Sequence, residues 1–308
     1  MPSPPEAPTA ASGIDVYKCL RMGCIGALGA IPGTVAAHPC DVIKIRMQTS
    51  TLAQGETYRR AVTSVLAYST GAGSAGGAAA GGAAKVASSW RLAGFYRGLV
   101  PAVEQRCVAR GPMFLLSELY TQLVESKLGL TGTEARFVGS VGSGYSTGFL
   151  AGLAEYRKKL LSQSVVRPSE ARWGALVGAA SKSGNLRSLF LRLNAAGTCS
   201  AAYDSVFFAS QHELHVNRGV ALPASYGMAA AAAVCCSFVL DTAVARMMIV
   251  RPDEPVRQFR EVVRSVLSGP GSGFRGIGAR GLEFTVSYTI TGLVASGIGV
   301  LAASYGGG

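Results

Sequence analysis

Charge is the scarcest ingredient of this sequence. Asp, Glu, Lys and Arg make up 15% of its 308 residues, against about 25% in an ordinary soluble domain. That is too little polar surface to clothe a water-soluble globule of this size, and a mean hydropathy of +0.31 points the same way. Histidine is nearly missing: three residues, with no HExxH and no cluster of ligands, so no metal site is expected. The seven cysteines include no CxxC pair and sit mostly in apolar runs, which reads as buried thiols in a reducing compartment. No glycine loop ends in GKS or GKT, and no nucleophile, base and acid fall together, so neither an enzyme nor a cofactor is expected. The opening "MPSPPEAPTAASG" has no basic region followed by an apolar one; residues 1–13 read as a disordered tail rather than a signal peptide.

What charge there is leans basic, to a net +12. A nucleic-acid protein would gather that excess on a folded face with interleaved aromatics. Here it falls in blocks between apolar segments, as in the loops of a membrane protein, and no nucleic-acid partner is expected.

The apolar segments repeat. "HPCDVIKIRMQ" at 38–48 has weaker echoes in "GLAEYRKKLLS" at 152–162 and "VLDTAVARMM" at 239–248. Their acids, Asp41, Glu155 and Asp241, each close a run of small and apolar residues at 19–40, 136–154 and 220–240, and about 20 such residues span a bilayer as a helix. A second phrase recurs as "FYRGLVPA" at 95–102, "LFLRLNAA" at 189–196 and "GFRGIGAR" at 273–280, and opens further apolar segments at 99–124, 193–216 and 277–303. The unit is a long helix, a charged element, an amphipathic loop helix, and a second long helix. Three units give six transmembrane helices: an all-α membrane protein with repeats at 14–130, 131–218 and 219–308. The first unit is longer because of a Gly/Ala-rich insertion at 71–89. The loops 51–97, 156–192 and 246–280 carry five, eight and seven Lys and Arg, whereas 125–136 and 215–222 carry three together, so the long loops share one side and both termini the other. Gly23, Gly26 and Gly29, and the GxxxG-spaced Gly144, Gly148 and Gly152, would let helices pack closely.

This threefold plan, over about 14–303, resembles the mitochondrial carrier family. The resemblance rests on Pro39, Asp41, Lys44, Arg46 and Gln48, then Tyr96, Arg97 and Gly98, with two degenerate copies in register. It implies a mitochondrial inner-membrane location with both termini in the intermembrane space. It also implies a matrix gate, a ring of ion pairs among Asp41, Lys44, Glu155, Lys158, Asp241 and Arg246. Acid and base three residues apart share a helical face, so an acid on one helix can meet a base on the next, and such pairs can break and reform in alternating access. Leu160 and Val244 stand where bases belong, so one acid lacks a partner unless Arg246 or another base reaches it. Leu153 and Val239 stand where prolines belong, leaving only Pro39 to kink its helix. At the opposite gate no complete pair is evident: the even helices offer Glu118 with Thr121, His212 with His215, and Ser296 with no base.

Within the family the ADP/ATP carriers give the nearest echo, in "DTAVARMMI" at 241–249 and in Asn194 and Tyr203. The phosphate-facing cations are replaced, among others by Asp204 and Glu283, which would repel a nucleotide. The expected substrate cavity is Gln105, Met113, Tyr203, Asp204 and Glu283. Its two acids either suit a cationic or zwitterionic solute or pair with bases such as Arg106 and Arg280. Arg97 with Gly98 and Arg275 with Gly276 resemble the family's cardiolipin sites at helix N-termini; in the second unit Arg192 takes the glycine position. Two functions stand: a solute carrier, not for ADP/ATP, or a transport-incompetent homologue serving as accessory subunit of an inner-membrane assembly such as a respiratory complex.

Overall fold

The computed structural model describes residues 14–49, 59, 62–63, 95–96, 99–162, 165, 170–268, 274 and 276–305. The tail 1–13, the insertion 71–89 and most of the first amphipathic loop lie outside these residues. All regular structure among those described is helical. Six helices are long: α1 (Val16–Thr49), α2 (Leu99–Leu128), α3 (Gly132–Ser162), α5 (Leu186–His212), α6 (Leu222–Met248) and α8 (Ile277–Tyr305). Two are short: α4 (Trp173–Lys182) and α7 (Phe259–Ser268). A π-helical turn, Glu213–Asn217, extends α5.

Each apolar run expected from the sequence falls within a long helix or its immediate extension, and α1, α3 and α6 continue through the charged element that follows. At 34 residues, α1 is about 51 Å long, well beyond a hydrocarbon core of about 30 Å. It runs on through Pro32 and Pro39, each of which removes the amide that would bond the carbonyl four residues back. Val16–Ile45 and Leu222–Met248 are long and apolar enough to cross a membrane. In the other long helices the polar residues turn inward: Ser117, Glu118 and Thr121 on α2, Ser140, Ser143 and Thr147 on α3, Asp204 on α5, and Ser287 and Thr291 on α8 are all buried. Large apolar side chains such as Leu28, Val108, Leu150, Phe190, Met228 and Leu293 point out. Polar residues turned inward beneath an apolar jacket suit lipid as the surrounding solvent.

The long helices form a closed ring in the order α1, α2, α3, α5, α6, α8 and back to α1. Tight connections with left-handed glycines, Gly129 and Gly132 between α2 and α3 and Gly219 between α5 and α6, lie at one end; the long basic loops lie at the other. Close approach sets the spacing of the ring. A methyl group on Gly26 would sit 2.5 Å from the Arg110 carbonyl oxygen and 2.9 Å from the Phe114 ring, and one on Gly148 would meet Ser200 Oγ at 2.5 Å. Gly26→Ala is expected to force α1 and α2 apart at a loss of about 1–3 kcal/mol, readable as a lower Tm in detergent; Gly281→Ala, where a methyl meets nothing within 4 Å, serves as the control.

Two apolar clusters fill the bundle. One lies at the basic-loop end and joins α3, α4, α5, α6 and α7 through residues such as Tyr156, Leu160, Leu176, Met247, Met248 and Val266. The amphipathic α7 docks on it by Val262 and Val266 while Arg260 and Arg264 stay exposed. The other cluster is aromatic and lies toward the opposite end.

Arg192, which stands at a glycine position of the repeat, is fully buried. Its guanidinium donates to the carbonyls of Met247 (3.2 Å), Val250 (3.4 Å), Arg251 (3.0 Å) and Glu254 (3.3 Å) and lies over the Tyr156 ring at 4.9 Å. The last carbonyls of a helix have no partner within it, and here one cation on α5 serves those at the end of α6 and just beyond.

Candidate functional site

The charged elements that end α1, α3 and α6 meet inside the basic-loop end of the ring. Asp41 accepts from Lys158 at 2.6 Å, an ion pair between α1 and α3, and faces Lys44 one turn on at 3.4 Å. Lys44, with 1% of its side chain exposed, reaches Asp241 of α6 at 3.6 Å and Glu283 of α8 at 3.7 Å. Arg280 of α8 bridges the same two acids, bonding Asp241 and Glu283 each at 2.9 Å. Arg106 of α2 also binds Glu283. Five helices are therefore tied together by largely buried charges, which makes each pair costly to leave half-made.

The network differs from the ring drawn from the sequence. The cation bonded to Asp241 comes from an even helix, as Arg280, which the sequence offered as a base for Asp204 or Glu283. Glu155 is satisfied within α3 by Lys159 at 2.8 Å. Arg246 lies half-buried in the last turn of α6. Glu283 is bound by three cations and belongs to this network rather than to an open cavity. No spacing rule within one helix would have found Arg280, because its partners come from a different segment.

Above the network lies a cavity of about 90 Å³. Gln105, Met113, Tyr203 and Asp204 line it, as do Glu155, Lys158 and Asp241 at its charged floor. At about 30 Å³ per molecule it has room for roughly three waters, far below the 300 Å³ or more of a pocket for a drug-sized ligand. Its roof is aromatic. Phe207, fully buried, packs on Tyr288 with ring centroids 4.5 Å apart, and Phe114 meets Phe208 at 5.2 Å. Tyr226 stacks on Phe114 from α6 at 6.0 Å.

Beyond the roof a second charge cluster ties α1, α2 and α3 together at the opposite end, where the sequence offered no complete pair. Glu118 of α2 accepts from Lys18 of α1 at 2.7 Å and from Arg136 of α3 at 2.7 Å, and Gln122 donates to it at 3.2 Å. The acid is one the sequence pointed to; both bases come from odd helices, whereas the expected pairs lay within the even ones. Asp15 caps this corner, its amide donating to Gln122 Oε1 at 2.7 Å. His212 faces Thr133 through Nδ1 at 3.2 Å, and His215 Nδ1 lies 2.9 Å from the Val220 carbonyl. Both histidines are held between helices at the rim.

Of the expected lipid-contact residues, Arg97, Gly98 and Arg275 lie outside the described residues. Gly276 has φ +83° and makes the turn into α8.

Among known families, the model described as mitochondrial carrier protein matches residues 15–128. That stretch covers the first repeat, with α1 and α2, and contains the best-kept motif copy. No curated protein matches the chain.

Proposed function

We propose that this chain, whose residues 15–128 match the mitochondrial carrier family, is a solute carrier of the inner membrane working by alternating access. Proteins of the family are in general mitochondrial inner-membrane transporters rather than enzymes. The observation that carries the reading is a pair of interhelical charge networks, at Asp41, Lys44 and Lys158 and at Glu118, on either side of one central cavity. Access from either end requires one network to break while the other holds. With both closed, the conformation is occluded. The basic loops face the matrix and both termini the intermembrane space, following the charge bias of the loops. The N-terminus of α8 behind Gly276 faces an anionic headgroup such as cardiolipin. The solute is not ADP or ATP, since the cavity is small and Asp204 stands among the groups that would face phosphate.

A second reading has its own support. Tight aromatic packing between the networks, with Phe114 and Phe207 fully buried, suits a carrier fold retained as a structural accessory subunit of an inner-membrane complex. Reconstitution separates the two. The carrier reading expects saturable uptake of at least one solute from a panel of amino acids, polyamines, carboxylates and nucleotides, abolished when Lys44→Ala and Lys158→Ala are combined. The subunit reading expects no uptake and stable co-migration with a megadalton complex on native gels.

A further inference from the structure

The charges around the cavity sort into two groups. Lys158, Asp241, Arg280, Arg106 and Glu155 are all ion-paired. Two are not. Arg110 of α2 is 1% exposed, and no carboxylate among the described residues lies within ion-pair distance of it. Two of its nitrogens donate to Thr291 (3.1 Å) and Ser287 (2.7 Å), its plane lies over the Tyr288 ring at 4.1 Å, and its Nε has no acceptor. Asp204 of α5 is 3% exposed and has neither a hydrogen-bond nor an ion-pair partner among the described residues. Both side chains line the cavity, on helices that α3 separates in the ring.

An unpaired buried charge is among the most destabilising features a protein can carry. Here one acid and one base face the same small space without meeting. We propose that Arg110 and Asp204 form a two-point subsite for a small zwitterion of the α-amino acid class. The carboxylate of the solute accepts from Arg110 Nε–H, and its ammonium donates to Asp204. The free Oε1 of Gln105 offers a further acceptor to the ammonium. One net-neutral solute completes both charges at once, which a lone cation or a lone anion cannot do. The cavity volume limits the side chain to that of glycine or alanine. This inference rests on the carrier reading only for its transport consequence; the binding stands alone.

The test uses the full chain purified in detergent, with thermal stability as the readout and glycine, ethylamine and acetate as probes, followed by glycine uptake into proteoliposomes. Glycine is expected to raise Tm, and ethylamine and acetate to need at least about tenfold higher concentrations for the same shift, one lost ion pair being worth 1.4 kcal/mol or more. Asp204→Asn is expected to abolish the glycine response while raising the Tm of the unliganded protein, because it removes a buried unpaired carboxylate without changing shape. Arg110→Gln is expected to lose the response as well. The proposal is overturned if glycine gives no shift, if ethylamine alone matches it, or if Asp204→Asn still responds. Stabilisation by glycine without uptake keeps the subsite and removes the carrier reading. Saturable uptake of another solute, indifferent to Asp204→Asn, does the reverse.

Discussion

Asp41→Asn is expected to lower stability by about 3–5 kcal/mol, the usual consequence of removing one partner from a buried ion pair. The reason is geometric. Asp41 is the carboxylate paired with Lys158, at 2.6 Å, and the two side chains are 4% and 5% exposed, so solvent does little to screen what remains. Neutralising the acid leaves an ammonium group inside the bundle with Arg106 and Lys44 as its neighbours in the network. Thermal unfolding in detergent checks this, with a fall in Tm on the order of 10 °C. The double variant Asp41→Leu with Lys158→Leu supplies the control. Replacing both charges by apolar groups is expected to restore most of the loss, since well-packed hydrophobic substitutes are often neutral or better. A single variant within about 1 kcal/mol of the parent would mean that this end of the ring is hydrated and open in solution.

Arg192→Leu is expected to cost a similar 3–5 kcal/mol for a different reason. Of the four carbonyls it serves, Val250 keeps the Tyr156 hydroxyl (2.8 Å) and Arg251 the Glu254 amide (3.1 Å), so the loss falls on those of Met247 and Glu254, and each acceptor left unmade costs about 1–3 kcal/mol, reduced where the loop can admit water. Arg192→Lys is expected to recover little, because an ammonium lacks the planar fork that reaches several acceptors at once. Limited proteolysis between 249 and 258 checks the mechanism: cleavage there should quicken in both variants, while the parent stays protected.

The helices were legible because their apolar runs are long and the charged phrases that end them recur. Asp41 and Lys44 stood out for the same reason, as charges closing a run where charges are expensive. The wiring was not legible. Spacing places two residues on one helical face, and says nothing about which neighbouring helix supplies the partner. Arg280 therefore came into view only when α8 was seen beside α6, and Lys18 and Arg136 only when α1 and α3 were seen flanking Glu118. Arg192 read as a defect in a glycine position, yet it caps a helix. Arg110 drew no notice at all, because it belongs to no motif and sits one residue before the glycine that packs against α1.

Among the described residues, the cluster around Leu160 and Met248 recruits α3 to α7 and nothing from α1, α2 or α8. Beneath the threefold sequence plan, the basic-loop end is thus built from two unequal leaves. One is glued by hydrocarbon, and the other is fastened to it by Asp41–Lys158, Lys44–Asp241 and Arg280–Asp241. These clasps are electrostatic, whereas parting the helices within the larger leaf would expose an apolar core. On the proposed carrier reading, a movement that admits solute from this side parts these clasps and leaves the leaf of α3 to α7 whole, rather than opening as an iris with three equal blades.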